Sequence, residues 1–332
     1  MSVLRPALVL AAAAMLLPGA SPARDEARIQ WRPHIRLHGA FDVVGPRADG
    51  RLIVSTSRGL SLYRRGGKPA PFARKPGGYV PVIGETYAAL ARDRRLPTAG
   101  CRFRRDDLYV LDPAANPGVI RVDSKGRATR LVSLPGTFLA GITFDQVGRF
   151  GSRLLVTARV AGQLTLYAID CRGRAEILLD HGPQVEGGIA VAPRGFGAFG
   201  GRLVAADEFS GIVYAFDERG GHTILASSGL PFGSDIGVES VGFVPKGFGR
   251  SGRAFIADPR AVGSPTEGTN SVLSVSGAAL VRAGVRAGDL LVATEAGART
   301  IRIRCRATEC NVTQIGQGPA ETHGEGHLTV IR

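Results

Sequence analysis

The amino-acid sequence predicts an all-β fold, a six-bladed β-propeller with four strands in each blade. Three observations predict it: a strand pattern that recurs about every 48 residues, frequent glycine between the strands, and no amphipathic helix after residue 23. The chain has 332 residues, 46 of them glycine, with 44% hydrophobic and 21% charged residues, which excludes a disordered chain. The glycines have no three-residue period, so a collagen-like protein is excluded as well.

The first 23 residues have the three parts of a secretory signal peptide. A short segment containing Arg5 precedes an apolar run over 7–17, and small residues follow at 21–23. The run is too short to span a bilayer, and no later stretch is long enough. We therefore predict a signal peptide over 1–23, cleaved after Ala23, and one propeller domain over 24–332 that is secreted or periplasmic.

The clearest repeat unit lies in the middle of the chain. A strand at 188–193 is followed by a glycine-rich turn, a second strand at 202–207, a third at 211–217 and a fourth at 223–225. The second strand of this unit recurs at 51–54, 107–110, 153–156, 202–205, 253–256 and 289–292. Four short strands in a repeat of this length are typical of a β-propeller, so we expect six blades.

The last six residues, 327–332, have the pattern of a first strand with no blade after it. Propellers close their ring by pairing a terminal strand with another blade, which removes an exposed sheet edge, and we expect such a closure here. The last spacing between second strands, 36 residues, leaves the final blade without a first strand of its own. Either the terminal strand fills that gap or the blade boundaries shift at this point.

The cysteines form an even set of four in a chain predicted to be exported, which favours disulfides over metal thiolates. Cys305 and Cys310 flank a predicted hairpin turn, so a bridge between them is geometrically easy. Cys101 would then pair with Cys171, although three pairings are formally possible.

The formal charge of +14 does not by itself indicate a nucleic-acid partner. Only four of the 42 basic residues are lysines, and the arginines are scattered along the chain without interleaved aromatic residues. Nucleic-acid-binding proteins cluster their charge and use aromatic side chains for stacking, so we expect no nucleic-acid partner. Attraction to an anionic cell surface needs charge alone and remains open.

Two segments, 195–200 and 247–252, fit the G-x-G-x-x-G pattern of dinucleotide-binding proteins. That pattern binds pyrophosphate only when a helix follows it directly. Both segments lead into a predicted strand at the same place in two repeats. They are turns between strands, and we expect no nucleotide cofactor.

Four glutamates are candidates for a metal site. Aligning the first strands of the repeats places Glu186, Glu239 and Glu325 at equivalent positions, and Glu85 fits less closely. First strands line the central channel of a propeller, so these carboxylates would converge at one mouth. They cannot all stay ionised there without a compensating cation or arginine, and oxygen ligands suit Ca²⁺ or another divalent cation. The alternative, slightly favoured, is structural: each glutamate accepts backbone amides of the neighbouring blade.

Two further sets of polar residues extend this pattern. His323, Glu325 and His327 alternate, so all three share one face if the segment is a strand, and imidazoles shift the preference toward a transition metal. For the histidines an exposed strand end is the favoured interpretation. A second acidic set follows the second strands, where we favour turn capping over a place at the channel mouth: Asp112, Asp207, Glu208, Asp258 and Glu295.

The repeat texture also carries a family resemblance. The unit formed by 195–197, 201–208 and 211–217 resembles six-bladed propellers of the NHL and gluconolactonase-like (senescence marker protein) superfamily. The similarity covers nearly the whole predicted mature chain. In gluconolactonase-like proteins a Glu, an Asn and an Asp at the channel mouth hold a divalent metal for lactone hydrolysis. Only the glutamates are matched here, since the nearest asparagines, Asn116 and Asn270, lie in predicted loops.

These observations lead to two hypotheses for function. The first is an exported monomer that binds a small molecule or a cell-surface ligand through its channel mouth, without catalysis. The alternative, implied by the resemblance, is a Ca²⁺-type metal-dependent hydrolase of a small lactone or ester. The absent asparagine favours the first hypothesis, and the repeated glutamates favour the second.

Overall fold

The computed structural model describes residues 28–81 and 84–332. The predicted signal peptide, 1–23, lies outside the described residues. Within them, 27 strands form six sheets of four or five strands and one small hairpin. None of the helices in this part of the chain is long and apolar enough to cross a membrane.

The first two blades are formed by consecutive strands. Before them come β1 (Ile29–Gln30) and β2 (Arg32–Arg36), which belong to later blades. The first blade contains β3 (Ala40–Val44), β4 (Leu52–Thr56), β5 (Gly59–Tyr63) and β6 (Ala70–Phe72). The second begins with β7 (Ala88–Leu90) and, after the hairpin β8 (Arg94–Leu96) and β9 (Cys101–Phe103), continues with β10 (Leu108–Asp112), β11 (Gly118–Val122) and β12 (Ala128–Ser133).

The third and fourth blades follow the same plan. The third contains β13 (Phe138–Phe144), β14 (Leu154–Val160), β15 (Gln163–Ile169) and β16 (Ala175–Gly182). The fourth contains β17 (Glu186–Val191), a turn of 3-10 helix (Gly197–Phe199), β18 (Leu203–Asp207), β19 (Ile212–Phe216) and β20 (His222–Ser227). In each of these blades every strand is antiparallel to the next.

The fifth and sixth blades are interleaved along the chain. After β21 come β22, β23, the short helix α1 and four more strands: β21 (Val238–Phe243), β22 (Arg253–Asp258), β23 (Ser271–Ser276), α1 (Gly277–Arg282), β24 (Leu290–Thr294), β25 (Thr300–Arg306), β26 (Glu309–Gln317) and β27 (Glu325–Ile331). The fifth blade has the order β21-β24-β25-β26, and β1 extends it in parallel. The sixth has the order β27-β22-β23-β2.

The six-bladed propeller with four-stranded blades is therefore confirmed. All six predicted second strands are second strands, but the last two exchange places in the ring: 253–256 lies in the sixth blade and 289–292 in the fifth. The terminal strand β27 is the first strand of the sixth blade, which explains the short spacing. Spacing along the chain reports only the order of strands, so it could not reveal which first strand each one joins.

The core consists of six hydrophobic clusters, each between two neighbouring blades. Between the second and third blades, the rings of Phe103, Tyr109 and Phe144 meet edge to face, with centroids 4.8–5.3 Å apart. Between the fifth and sixth blades, Trp31 is buried and its Nε1 donates to Thr300 Oγ1 at 2.7 Å. Because each blade buries both faces against its neighbours, the closed ring is the stable unit.

Both predicted disulfides are present. Cys101, in the hairpin inserted into the second blade, pairs with Cys171 after β15, so this bridge joins the second and third blades. Cys305 and Cys310 face each other across the hairpin of β25 and β26. No free cysteine remains among the described residues.

Candidate metal centre

The candidate site lies at one end of the central channel, which we call the channel mouth. First strands begin at this end and antiparallel second strands finish there, so residues at these two positions meet. The structure brings together six glutamates from four blades, together with Asp235 from the loop before β21: Glu85, Glu186, Glu208, Glu239, Glu295 and Glu325. Four of these six glutamates are buried, and the other two, Glu85 and Glu186, are partly exposed.

Irregular first strands direct these side chains inward. In five of the six blades the pairing of the first strand with the second shifts register near the channel mouth. Such β-bulges interrupt the alternation of side chains along a strand, so a side chain next to the bulge points in a different direction. Gly187 has a φ of +76°, and a Cβ there would come within 2.2 Å of Glu239 Cγ, so only glycine lets the Glu239 side chain lie where it does.

Tyr87 is the hub of the first carboxylate group. Its hydroxyl oxygen lies 2.7 Å from Glu85 Oε2, 2.7 Å from Glu239 Oε1 and 2.6 Å from Glu325 Oε2. The hydroxyl has one proton to donate and can otherwise only accept. At most one of the three carboxyls can therefore accept from Tyr87, and the others must carry protons that they donate to it.

The electrostatics agree with this proton count. Burial, with the charge of Glu325, raises the pKa of both Glu85 and Glu239 well above the ordinary value. Burial and the same surrounding carboxylates raise the pKa of the Tyr87 hydroxyl. Without a cation, Glu85 and Glu239 are therefore carboxyls that hold protons beside Tyr87.

His323 joins a second group through Glu325. Its Nε2 lies 3.2 Å from Glu295 Oε1 and 3.2 Å from Glu325 Oε1, and all three side chains are about 5% exposed. Burial lowers the pKa of His323, but its hydrogen bond to Glu325 and the surrounding carboxylates raise it above the usual value overall. Burial and the charges of Glu325 and Glu208 raise the pKa of Glu295 to about 11. Glu325 thus belongs to both groups.

Glu186 lies at the edge of the cluster and has an arginine partner. Arg159 Nη2 donates to both of its carboxylate oxygens, at 2.9 and 2.8 Å, and the guanidinium stacks on the Phe138 ring. Burial raises the pKa of Glu186 to about 7, although the Arg159 charge opposes the increase. Glu186 is therefore a carboxyl that titrates near neutral pH.

His327 is not part of either group. Its Nδ1 lies 2.9 Å from Asp42 Oδ2, inside the channel, and its backbone amide donates to Asp42 Oδ1. The alternation expected for His323, Glu325 and His327 fails because Gly326, with φ of +67°, forms a bulge and His323 precedes the strand. Both histidines are also largely enclosed, so the expectation of an exposed strand end was wrong.

The structural alternative for the glutamates does not describe this site either. None of Glu85, Glu186, Glu239 and Glu325 accepts a backbone amide in the described part of the chain. Asp42 has that role instead: it accepts the amides of Val43, Ala88 and His327 and so joins three blades.

The second acidic set divides into two kinds. Asp112 and Asp207 accept the backbone amide two residues further on, as expected of turn caps, whereas Asp258 accepts the distant amide of His323. Glu208 and Glu295 instead extend into the channel mouth, the alternative that the sequence analysis did not favour. Both glutamates lie one residue beyond the position at which other second strands end in an aspartate. Their longer side chains at this position were the signal that could have placed them at the channel mouth.

Three buried polar atoms of the cluster have no hydrogen-bond partner among the described residues: Glu239 Oε2, Glu295 Oε2 and His323 Nδ1. Glu239 is 2% exposed and Glu295 4% exposed, so water does not compensate them from outside. A buried oxygen of this kind costs free energy unless something else binds it.

Comparison with known proteins finds similarity to solved structures but no match to a family model or a curated sequence. Among solved structures, virginiamycin B lyase from Staphylococcus aureus has 11% identity and a TM-score of 0.45, over 83% of this chain and 70% of that one. A gluconolactonase from Xanthomonas campestris has 15% identity and a TM-score of 0.42, over 70% and 71% of the two chains.

A third similar structure is the calcium-binding protein regucalcin from Agrobacterium tumefaciens, with 12% identity and a TM-score of 0.36, over 74% of this chain and 94% of that one. The six-bladed fold that the predicted resemblance implied is shown by the strand pairing of the structure itself. Similarity at this level carries no argument about activity, which has to come from the site itself.

Proposed function

We propose that this protein is an exported propeller that holds a divalent cation at its channel mouth and binds an oxygen-bearing ligand there. The observation that carries the proposal is the convergence of buried carboxyls in which two oxygens, Glu239 Oε2 and Glu295 Oε2, have no hydrogen-bond partner among the described residues. Glu325 is the central residue, because it joins the Tyr87 group to the His323 group.

The donor set fits a cation. Glu295 Oε1 and Glu325 Oε1 each lie 3.2 Å from His323 Nε2. Two donors on one ion at ordinary bond lengths and angles are about 3.0–3.5 Å apart. A single imidazole N–H, by contrast, cannot donate well to two carboxylates at once. The unpartnered Oε2 atoms of Glu239 and Glu295 add further oxygen donors.

The mixture of donors indicates which cations to test. Carboxylates with one imidazole suit a transition-metal cation such as Mn²⁺, whereas the all-oxygen group around Tyr87 suits Ca²⁺. A cation bound here would supply Lewis acidity to an oxygen of the ligand. The carboxylates and His323 would bind the cation, their burial excludes bulk water, and the carboxyls release or take up protons.

Exposed aromatic residues near the channel mouth support a ligand with an apolar part. Phe138 begins β13 beside Arg159, Phe209 follows Glu208, and Phe232 lies in the loop before β21. Each of the three is between 45% and 59% exposed. Apolar side chains grouped around a polar site are typical of small-molecule recognition.

Two observations support export. Both disulfides and the absence of any free thiol among the described residues fit an oxidising compartment. The predicted signal peptide over 1–23 supplies the route.

A hydrolase of small lactones or esters is the second candidate, and Glu186 favours it. A carboxyl with a pKa of about 7 can exchange a proton with a reacting group near neutral pH. Arg159 fixes its orientation through both carboxylate oxygens. In this role Glu186 removes a proton from the attacking water and Arg159 positions it.

Metal binding tests the main proposal. We expect the metal-free protein to gain about 2.7 kcal/mol of stability at a Mn²⁺ or Ca²⁺ concentration one hundred times the dissociation constant. EDTA should remove this gain, and Glu325→Gln should abolish it. The exposed Glu267, on the same side of the propeller, provides the matched control Glu267→Gln, which should keep it. If neither cation changes the melting temperature, the proposal is wrong.

Hydrolysis is tested separately with a panel of lactones and aryl esters. If the second candidate is correct, the metal-loaded protein hydrolyses members of the panel, and Glu186→Gln lowers kcat/KM by about 10²–10⁴-fold. Metal binding should persist in that variant. A protein that binds the cation but hydrolyses nothing in the panel leaves the ligand-binding function as the conclusion.

A further inference from the structure

The end of the propeller opposite the channel mouth is strongly basic. The loops from first to second strands and from third to fourth strands lie there, and we call this surface the basic end. Every blade contributes an exposed arginine or lysine: Arg64, Arg92, Arg172, Arg194, Lys246 and Arg332. The carboxylate cluster occupies the other end, so the molecule is electrically asymmetric along its channel.

Four arginines of the basic end form a group: Arg92, Arg94 and Arg105 begin or flank the β8–β9 hairpin, and Arg332 follows β27. Partial burial and the like charges of the other three lower the pKa of Arg92. None of the four takes part in a salt bridge within the described residues; Arg94 Nη2 donates only to the carbonyl of Gln146, at 2.8 Å. Four neighbouring positive charges therefore repel one another without a counter-ion.

The nearby carboxylates are already engaged. Asp93 lies 3.3 Å from Arg102 Nε, and Asp107 lies 2.7 Å from an arginine of β11. Asp106 accepts a backbone amide of the first blade, and Asp145 accepts four amides of its own loop. None of these carboxylates pairs with the four arginines, which therefore have no ion-pair partner among the described residues.

The absence of apolar groups specifies the partner further. Of the eight large hydrophobic side chains exposed in 28–81 and 84–332, none lies at the basic end. Six are in loops or strand ends on the channel-mouth side, and Ile177 and Ile224 are on outer strands. Binding at the basic end therefore depends on charge and hydrogen bonds, without the apolar side chains that insert into a membrane.

We propose that the basic end docks the protein on a linear polyanion of phosphate groups without bases, since no exposed aromatic side chain described at this end could stack on a base, with Arg92, Arg94, Arg105 and Arg332 in contact. Guanidinium groups match phosphate oxygens in pairs, and the polymer releases its condensed counter-ions on binding. Docking in this direction leaves the channel mouth facing away from the polymer and open to its own ligand. The inference is independent of the metal at the channel mouth.

Long-chain inorganic polyphosphate is the probe, with binding followed by fluorescence anisotropy at several salt concentrations. We expect R92Q/R94Q/R105Q/R332Q to lose at least about tenfold in affinity, and its salt dependence to fall by about three in log–log slope. The matched control R36Q/R58Q/R260Q/R299Q removes the same charge from exposed arginines on the channel-mouth side and should retain most of the affinity.

Three results would overturn the inference. The first is an equal loss in both variants, which would mean that binding follows net charge and not this surface. The second is no binding of polyphosphate by the wild-type protein at about 150 mM salt. The third is binding only to vesicles of phosphatidylglycerol, which would make a lipid surface the partner. If the quadruple variant does not fold, R92Q/R332Q makes the same comparison against R58Q/R299Q.

Discussion

The Tyr87 hydroxyl meets three carboxyl groups, and its single proton can serve only one of them. Because Tyr87 cannot satisfy all three carboxyls, we interpret the channel mouth as a binding site and not as a group of carboxylates with a purely structural role. Without a cation, protons hold the group together, and with a cation those protons must leave. Because either protons or a cation can satisfy the carboxyls around Glu325, the stability of the protein depends on both pH and metal concentration.

The metal-free protein should lose stability as pH rises. Burial raises the pKa of Glu186 from 4.5 to about 7, so between these values the folded state binds a proton that the unfolded chain has lost. The free energy of unfolding then decreases as pH rises through this window, by at most about 3 kcal/mol from Glu186. Glu295, with a pKa raised to about 11, acts in the same direction.

Urea unfolding in EDTA at pH 5 and pH 8 measures this effect. We expect the lower stability at pH 8, and Glu186→Gln should reduce the difference between the two conditions. Stability that is equal or greater at pH 8 in the wild-type protein would contradict the assignment of protons in the cluster.

Alanine substitutions at two glycines, Gly187 and Gly162, distinguish the effect of backbone strain from an effect on the cation site. Gly187 and Gly162 have φ of +76° and +81°, but an added Cβ meets Glu239 only at Gly187 and meets nothing at Gly162. Alanine at either position should cost about 1–2 kcal/mol in backbone strain. Only Gly187→Ala should also weaken Mn²⁺ binding, because it displaces Glu239.

Calorimetric titration with Mn²⁺ gives the affinity of both variants, and urea unfolding gives their stability. Gly162→Ala is expected to bind like the wild-type protein. Unchanged binding by Gly187→Ala would show that Glu239 has no part in holding the cation.

At the scale of elements, regular alternation predicted much but not the bulges. All six second strands follow from their repeated apolar pattern, because they are regular and buried on both faces. First strands depart from that pattern near the channel mouth, where register shifts decide which side chains meet. Gly326 is the example: its bulge sends His327 to Asp42, which a period of two could not predict.

The candidate site was predictable only in part for the same reason. Glu85, Glu186, Glu239 and Glu325 could be found because they repeat at one position of the blade. Tyr87 could not, because nothing in the sequence indicates that its hydroxyl crosses the channel to two distant blades.

The two disulfides should differ in their contribution to stability. Cys101 and Cys171 are 70 residues apart and join two blades, whereas Cys305 and Cys310 are five apart within one hairpin. Loop-closure entropy predicts a loss of about 4 kcal/mol for C101S/C171S and about 2 kcal/mol for C305S/C310S. Urea unfolding of the two variants, each against the wild-type protein, measures the difference. A larger loss from the hairpin pair would be inconsistent with blade-to-blade cross-linking.

For the whole molecule, the ring closes through both ends of the described chain. The segment with β1 and β2 borders the fifth blade and completes the sixth, while β27 supplies the first strand of the sixth. The sequence indicated a terminal closure, but not the interleaving, because strand pairing across the ring depends on contacts between residues far apart in the chain. The six clusters between blades make each blade dependent on two neighbours.

Trp31 reports directly on this closure. It is the only tryptophan in the chain, lies between β1 and β2, and is 2% exposed. If the ring unfolds as one unit, the urea midpoint from Trp31 fluorescence should coincide with that from far-ultraviolet circular dichroism. A fluorescence transition at lower urea would mean that the closing segment detaches while the blades remain folded.

The most direct test of the cation site is anomalous diffraction from crystals of the protein grown with Mn²⁺. We expect an anomalous difference peak at the channel mouth, within about 2.0–2.4 Å of Glu325 and His323, and no such peak for Glu325→Gln. A wild-type map with no peak at the channel mouth, or with Mn²⁺ bound only elsewhere, would contradict the account.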